Sequence, residues 1–242
     1  MTNNLDGDIS LRKAAIIAGF SYLIIFILGI VANFVVLMNL FVPENASATV
    51  DNIMSNLGQF RMGILGFIIM VIFDVIVAWA LYLLLSPVSK GLSLLAAWLR
   101  LVNATIFGIA MFNLFSVLRL FGEASYLTEL STGQMQVQVM SLLYAFNDTW
   151  LIGLIFFGLH LAVLGYLIFR SGYIPKFIGI LLMIAAIGYL ADSFASFLMS
   201  NYADYAGIFM IIVIVPGVIG ELSFTLWLLI KGRKLELQPE MN

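Results

Sequence analysis

Residues 62–85, MGILGFIIMVIFDVIVAWALYLLL, decide the fold of this chain. The segment carries a single charged residue, Asp74, in an otherwise uncharged run. About 20 predominantly apolar residues are enough for an α-helix to cross the hydrocarbon core of a bilayer. The segment therefore predicts a transmembrane helix that carries an acid inside the membrane.

The composition shows that this segment is typical of the whole chain. Of the 242 residues, 63% are hydrophobic and 10% are charged, and the mean hydropathy is +1.10. Soluble domains contain about 25% charged residues. Six stretches are long and apolar enough to span a bilayer: 14–42, 62–85, 92–118, 139–169, 177–199 and 207–230. The sequence predicts an all-α integral membrane bundle of six transmembrane helices, a single domain over residues 1–242.

Basic residues flank these spans unevenly. Eight of the 11 Lys and Arg residues fall on the side of both termini, whereas Arg61 and Arg119 fall on the opposite side. Short cytoplasmic loops of membrane proteins are enriched in Lys and Arg. We therefore expect a multi-pass protein whose N- and C-termini are both cytoplasmic.

Residues that the chain lacks exclude several chemistries. It has no Cys and one His, His160, which rules out zinc-thiolate, iron–sulfur and multi-histidine metal sites. It has no glycine-rich phosphate loop and no dinucleotide-binding fingerprint. Its 11 basic and 13 acidic residues form no basic stripe for nucleic acid. We predict no metal, no cofactor and no nucleic acid, and a lipid bilayer as the surroundings.

Four ionisable residues lie inside four different spans. Counted along each helix from its predicted cytoplasmic end, Asp74, Arg100, His160 and Glu221 lie about 12 to about 16 Å deep in a core of about 30 Å. Asn103 follows Arg100 by three residues and shares its helix face. Ionisable groups at this depth are rare unless they are paired, hydrated or used. These five residues are the candidate intramembrane polar site.

Two interpretations of this set remain open. In the structural one, Arg100 neutralises Asp74 or Glu221, His160 is a neutral hydrogen-bonding partner, and the set fixes helix register. In the functional one, two acids against one fixed base leave a surplus negative charge, which a proton or a cation balances. The charge count makes the set a candidate proton or cation site.

The last span contains Pro216 and Gly217, one turn before Glu221. Proline removes one backbone hydrogen bond and clashes with the carbonyl four residues earlier. We expect a helix break here that frees carbonyls near Ile212 and Val213, and broken helices of this kind recur in transporter sites. A simple packing kink is the alternative.

Two further polar pairs could extend the site outward. Asp192 and Ser193 lie about 23 Å from the inner side by the same helical rise, and Asn147 and Asp148 lie nearer the outer interface. Together they would form a polar path. Asp148 could equally be a solvated residue near the membrane surface.

Several segments resemble one membrane protein family. They are Arg12–Gly19, Ala96–Arg100, Asp148–Trp150, Leu164–Lys176, Gly220–Ser223 and Leu226–Gly232. The resemblance is to domain-of-unknown-function family 4386 of bacteria and archaea, and it covers the chain from about Arg12 to Lys234. It implies an integral protein with six spans in a prokaryotic plasma membrane, and it implies no activity.

Three functions are compatible with these patterns. The first is a permeation or proton-coupled transport protein, or a subunit of one, which binds a proton, a cation or a small lipophilic ligand and works as a homo-oligomer because six spans are few for a transporter. The second is a non-catalytic sensor, lipid-binding or assembly module whose polar cluster is structural. The third, an intramembrane enzyme acting on a lipid, ranks last because Ser193 and Ser223 lie in no nucleophile motif.

Overall fold

The computed structural model describes residues 10–122 and 130–235 of the chain. These residues form helices and connecting turns, with no strand among them. The helices are α1 (Leu11–Leu40), α2 (Ala46–Ser55), α3 (Leu57–Leu85), α4 (Lys90–Leu120), α5 (Thr132–Ser171), α6 (Lys176–Leu198) and α7 (Tyr202–Ile230). All except α2 are long and apolar enough to cross a membrane. This confirms the predicted class of six transmembrane helices and a multi-pass membrane protein in contact with lipid.

Two helices extend well beyond the predicted spans. α5 begins at Thr132 and α3 begins at Leu57, where the apolar runs predict starts at residues 139 and 62. Hydropathy measures the part of a helix that fits the hydrocarbon, and backbone hydrogen bonding continues into the polar residues beside it. The apolar runs therefore underestimate helix length.

The short helix α2 lies in the loop between the first two spans and has no counterpart in the predicted elements. The Asn45 side chain caps it by accepting a hydrogen bond from Ala48 N at 3.0 Å. Thr49 fixes it to the end of α1, because its hydroxyl donates to Val42 O at 3.1 Å and accepts from Val42 N at 3.0 Å. A helix of ten residues with few apolar positions gives little hydropathy signal.

The chain folds into two compact units. Among the described residues, unit 1 comprises 10–23, Phe73–Asn103 and 154–235, and unit 2 comprises Ile24–Ile72, 104–122 and 130–153. Both units draw on α1, α3, α4 and α5, whereas α6 and α7 belong to unit 1. The single domain of the sequence stays a prediction.

Unit 2 has an aromatic core. Trp150 stacks on Phe107 with ring centroids 3.6 Å apart, and Phe67 and Phe146 pack on the same indole at 5.2 and 5.6 Å. Such ring pairs stabilise a core by more than the burial of their apolar area alone would.

The end of α1 in unit 2 is π-helical over Ile30–Leu37. The side-chain amides of Asn39 and Gln59 both donate to Val35 O, at 2.8 and 3.0 Å. These two bonds satisfy a carbonyl of the π-helical stretch.

Glycines set the helix packing of unit 1. Gly165 in α5 and Gly179 in α6 face each other so closely that a Cβ on either would lie 2.6 or 2.5 Å from the carbonyl oxygen of the other. Small residues let membrane helices approach at their backbones. This approach brings α5, which carries His160, against α6, which packs along α7.

Candidate functional site

Arg100, in α4, is the centre of the candidate site. Its side chain is 1% exposed, and its Nη2 donates to Asp74 Oδ1 of α3 at 2.5 Å. Asp74 is 2% exposed, and the two residues form the single salt bridge of the described part of the chain. Burying a lone charge is strongly unfavourable, so each residue requires the other. The sequence leaves Asp74 and Glu221 open as the acid that neutralises Arg100. In the structure, Arg100 pairs with Asp74.

Two neutral side chains complete the contacts of Arg100. Its Nη1 donates to Tyr22 Oη at 2.9 Å and lies 3.2 Å from His160 Nε2. His160 Nδ1 lies 2.8 Å from Ala96 O. A carbonyl only accepts and a guanidinium only donates, so Nδ1 carries the hydrogen and Nε2 accepts from Arg100. His160 is therefore a neutral imidazole in one tautomer. We call Tyr22, Asp74, Arg100 and His160 the Arg100 cluster.

Aromatic rings cover the guanidinium of the Arg100 cluster. Arg100 Cζ lies 4.7 Å from the centroid of the Tyr22 ring and 5.4 Å from that of Phe157. Phe224 packs edge-on against Tyr22 at 5.8 Å. Cation–π contacts gain strength where the cation is desolvated. The rings and the hydrogen bonds together fix Arg100 in one position.

Glu221, in α7, lies outside this set of contacts. Its side chain is partly exposed, and its Oε1 accepts a hydrogen bond from Tyr189 Oη of α6 at 3.2 Å. It makes no salt bridge within 4.0 Å in the described residues. Phe157, which covers Arg100, also packs edge-on against Tyr189 at 5.1 Å. Glu221 is thus a neighbour of the Arg100 cluster rather than a member of it.

The charges of the site can now be counted. The Arg100 cluster holds one guanidinium, one carboxylate, a neutral imidazole and a phenol, so its net charge is zero. The surplus acid is therefore Glu221. No group of three His, Asp or Glu residues within 10–122 and 130–235 is placed to hold a metal ion.

Asn103 lies one turn after Arg100 and is 1% exposed. Both polar atoms of its amide and the Nε of Arg100 are buried without a hydrogen-bond partner in the described residues. Groups of this kind are uncommon in protein interiors. Asn103 and Arg100 thus keep free hydrogen-bonding capacity on one face of α4.

The four residues of the predicted polar path are not gathered with the Arg100 cluster. Asp192 accepts a hydrogen bond from Tyr202 Oη at 2.6 Å, and Ser193 is buried with no partner for its hydroxyl in the described residues. Asn147 and Asp148 are exposed on α5 in unit 2. The path stays a prediction that no contact of these four residues supports.

The expected helix break at Pro216 and Gly217 is not present, because α7 continues through both residues to Ile230. The carbonyl that Pro216 leaves without its usual donor is that of Ile212. It faces Gly188 of α6, where a Cβ would lie 2.5 Å from Ile212 O. The carbonyl that Pro216 frees therefore lies against α6, and α7 itself remains continuous. A Cβ at Gly217 would lie 3.2 Å from Tyr189 Oη, so Gly217 makes room for the hydroxyl that holds Glu221.

Three site residues were missed from sequence, namely Tyr22, Phe157 and Tyr189. A phenol hydroxyl inside hydrocarbon requires a hydrogen-bond partner, so tyrosines far from the interfacial belts were an available signal. Phe157 gave no signal, because nothing separates it from the 19 other phenylalanines of the chain.

Replacing Tyr22 with phenylalanine tests the Arg100 cluster. The variant keeps the ring over Arg100 but removes the acceptor of one charge-assisted hydrogen bond, so we expect a loss of about 1.5 to 3 kcal/mol in the free energy of unfolding. Unfolding in mixed detergent and dodecyl sulfate micelles measures the change. The matched control is Tyr205→Phe, an exposed tyrosine of α7 for which we expect a change within about 0.5 kcal/mol. Equal values for the two variants would contradict the assigned hydrogen bond.

Comparison with known proteins places the chain in a family. The model of the family described as "Domain of unknown function (DUF4386)" matches residues 17–232. An uncharacterized protein of the archaeon Archaeoglobus fulgidus is 37% identical over 180 residues, which cover 74% of this chain and 90% of the relative. No solved structure matches the chain. The family match includes every residue of the Arg100 cluster together with Glu221, and the chain belongs to the DUF4386 family.

Proposed function

We propose that the protein is a proton-coupled transport or permeation protein of the plasma membrane, or a subunit of one, in which Glu221 binds and releases the coupling proton. The proposal rests on one observation, namely that one acid of the site has a cationic partner and the other has none. Arg100 is committed to Asp74, and Glu221 has no cationic partner among the described residues. A carboxylate inside a membrane span needs a positive charge, which a proton supplies.

The exposure of the two acids supports different roles for them. Asp74 is 2% exposed and held by Arg100, whereas Glu221 is partly exposed at the surface of α7. A group that exchanges protons has to be reached by water or by a proton donor, and a closed ion pair is not reached. The Arg100 cluster then acts as a fixed scaffold and counter-charge.

The immediate surroundings of Glu221 suit reversible protonation. Tyr189 donates to Oε1, and Oε2 has no hydrogen bond in the described residues. One oxygen is therefore anchored while the other remains free for a proton.

The proposal includes a topology and an assembly. Both termini are cytoplasmic, in line with the basic residues on their side of the spans. Six spans are few for a transporter, so the working form is a homo-oligomer.

A second candidate function rests on the closed contacts of the Arg100 cluster. Four side chains from four helices bind one another with little exposure, as expected for a purely structural cluster. In that case the protein is a non-catalytic sensor, lipid-binding or assembly module, and Glu221 can be replaced without loss of function.

Chemical labelling gives a first test. Dicyclohexylcarbodiimide adds to protonated carboxyl groups in apolar surroundings, and mass spectrometry of peptides locates the adduct. We expect modification at Glu221 that declines as the pH rises, and none at Asp74, which is closed and paired. Modification of Asp74 instead of Glu221, or labelling of Glu221 that does not change with pH, would rule out the proposed proton exchange.

A flux measurement gives the decisive prediction. In liposomes with an imposed pH gradient, we expect Glu221→Gln to reduce proton flux to that of empty liposomes, because an amide cannot carry the proton. Glu221→Asp should retain part of the flux. The matched control, Asp204→Asn, removes an exposed acid in the first turn of α7, also in unit 1, and should leave the flux unchanged. If wild-type flux equals that of empty liposomes, or Glu221→Gln equals the wild type, the transport proposal is wrong and the second candidate stands.

A further inference from the structure

A cavity of about 500 Å³ lies in unit 1 where α3 and α5 end and where α4 begins. Its lining includes Ser89, just before α4, and Tyr166, Arg170 and Tyr173 near the end of α5. We call it the hairpin cavity, because the turn from α3 to α4 and the turn from α5 to α6 both contribute to it. None of its lining residues belongs to the Arg100 cluster or to the Glu221 site.

The charge of the hairpin cavity is positive. Arg170 lines it, and no Asp or Glu does. The guanidinium is held beside Tyr166, whose hydroxyl accepts from Arg170 Nη1 at 3.3 Å and whose ring centroid lies 6.0 Å from Arg170 Cζ. This contact uses one of the five N–H groups of the guanidinium. The remaining donors are available to an anion.

Two hydroxyl groups near the cavity are committed to backbone carbonyls. Tyr173 Oη donates to Leu84 O at 2.6 Å, and Ser171 Oγ donates to Ile168 O at 2.8 Å. Burial raises the pKa of Tyr173 to about 12, so this hydroxyl keeps its proton at neutral pH. Neither of these two hydroxyls donates to Arg170 or withdraws it from the cavity.

The beginning of α4 adds donors of the right kind. Ser89 Oγ accepts from Leu92 N at 3.5 Å, which leaves its own hydrogen free to donate. Leu92, the residue of α4 that lines the cavity, gives its N–H to this hydroxyl, so Ser89 supplies the donor on this side of the cavity. Leu92 and Leu167 supply an apolar wall beside these donors. A headgroup that carries phosphate above apolar chains matches this combination.

We propose that the hairpin cavity binds a phosphate-bearing anion, with Arg170 as its principal ligand and Ser89 as a second donor. The apolar wall and the position at the ends of spanning helices favour the headgroup of an anionic phospholipid over free phosphate. A guanidinium suits this role because its planar set of donors can hold two oxygens of one phosphate.

The test measures binding to the full chain, purified and freed of lipid in a neutral detergent. The probes are phosphatidylglycerol, phosphatidylcholine and inorganic phosphate, and native mass spectrometry with thermal unfolding reads out occupancy. We expect phosphatidylglycerol to bind, and Arg170→Gln to weaken its binding about tenfold or more, since hydrogen bonds to charged groups contribute that much. Arg170→Lys should lose part of the affinity, because it keeps the charge without the planar donors.

Lys176→Gln is the matched control. Lys176 is a neighbouring cation that lies against Phe169 and does not line the hairpin cavity. Its replacement should leave binding unchanged. Binding of inorganic phosphate with the same dependence on Arg170 would assign the site to a free anion and keep the proposal. Equal effects of Arg170→Gln and Lys176→Gln, or no binding of either anionic probe, would overturn it.

Discussion

Replacing Arg100 with methionine is expected to lower the free energy of unfolding by about 3 to 5 kcal/mol, the usual result of removing one partner of a buried ion pair. The expected loss is large because Asp74, 2% exposed, would keep its carboxylate without a cation. Tyr22 and His160 would also lose the donor that they share. The change is measured by reversible unfolding in mixed micelles of neutral detergent and dodecyl sulfate.

The double variant Asp74→Leu with Arg100→Met tests whether the lost stability comes from the unpaired charge or from the packing around it. Replacing both charges with apolar groups of similar size is often neutral or stabilising, so we expect it to recover most of the loss. A double variant as unstable as Arg100→Met would indicate that packing rather than charge explains the first result. A loss below about 1 kcal/mol for Arg100→Met, the range of exposed pairs, would contradict the buried pair.

Gly179→Ala is expected to lower the free energy of unfolding by about 3 kcal/mol, at the upper end of the usual range for overpacking. A Cβ at this position would lie 2.5 Å from Gly165 O and 2.9 Å from Phe169 N. Both atoms belong to the backbone, so α5 and α6 have to separate before an alanine fits. The same unfolding assay measures the loss.

The matched control for this prediction is Gly108→Ala. Gly108 lies inside α4, and a Cβ there would meet no atom within 4 Å. Alanine is the better helix former, so we expect this variant to gain about 0.5 to 1 kcal/mol. A loss in both variants would point to a general effect of the substitution, and no loss at Gly179 would show that α5 and α6 do not approach at this residue.

The spans were predictable because hydropathy is a local property. Each run of about 20 apolar residues can satisfy its backbone only as a helix inside hydrocarbon, whatever its neighbours do. The short helix α2 was not predicted, because it is stabilised by the Asn45 cap and the Thr49 hydrogen bonds rather than by an apolar run. The break expected at Pro216 is wrong, because α7 continues through this residue. A packing kink, the alternative from sequence, does not interrupt a helix.

The candidate site was predictable only in part. Ionisable residues inside apolar runs stand out in any sequence, and Asp74, Arg100, His160 and Glu221 were found in this way. Their pairing was not found, since a shared depth does not say which side chains face each other. Tyr22 and Tyr189, which bind Arg100 and Glu221, lie in the first and fifth apolar runs and differ from phenylalanine only by a hydroxyl.

The sequence by itself determined that the chain forms six membrane-spanning helices and that four ionisable residues lie inside them. Both conclusions follow from the transfer of side chains and backbone into hydrocarbon, which each segment undergoes separately. Only the tertiary structure decided which acid Arg100 neutralises. That choice depends on how α3, α4 and α7 pack in three dimensions, which contacts between distant parts of the chain decide. Close glycine approaches hold α7 against α6, and the rings of Tyr22 and Phe157 hold the guanidinium of Arg100. Asp74 is thus the buried partner of Arg100, and Glu221 accepts a hydrogen bond from Tyr189 instead.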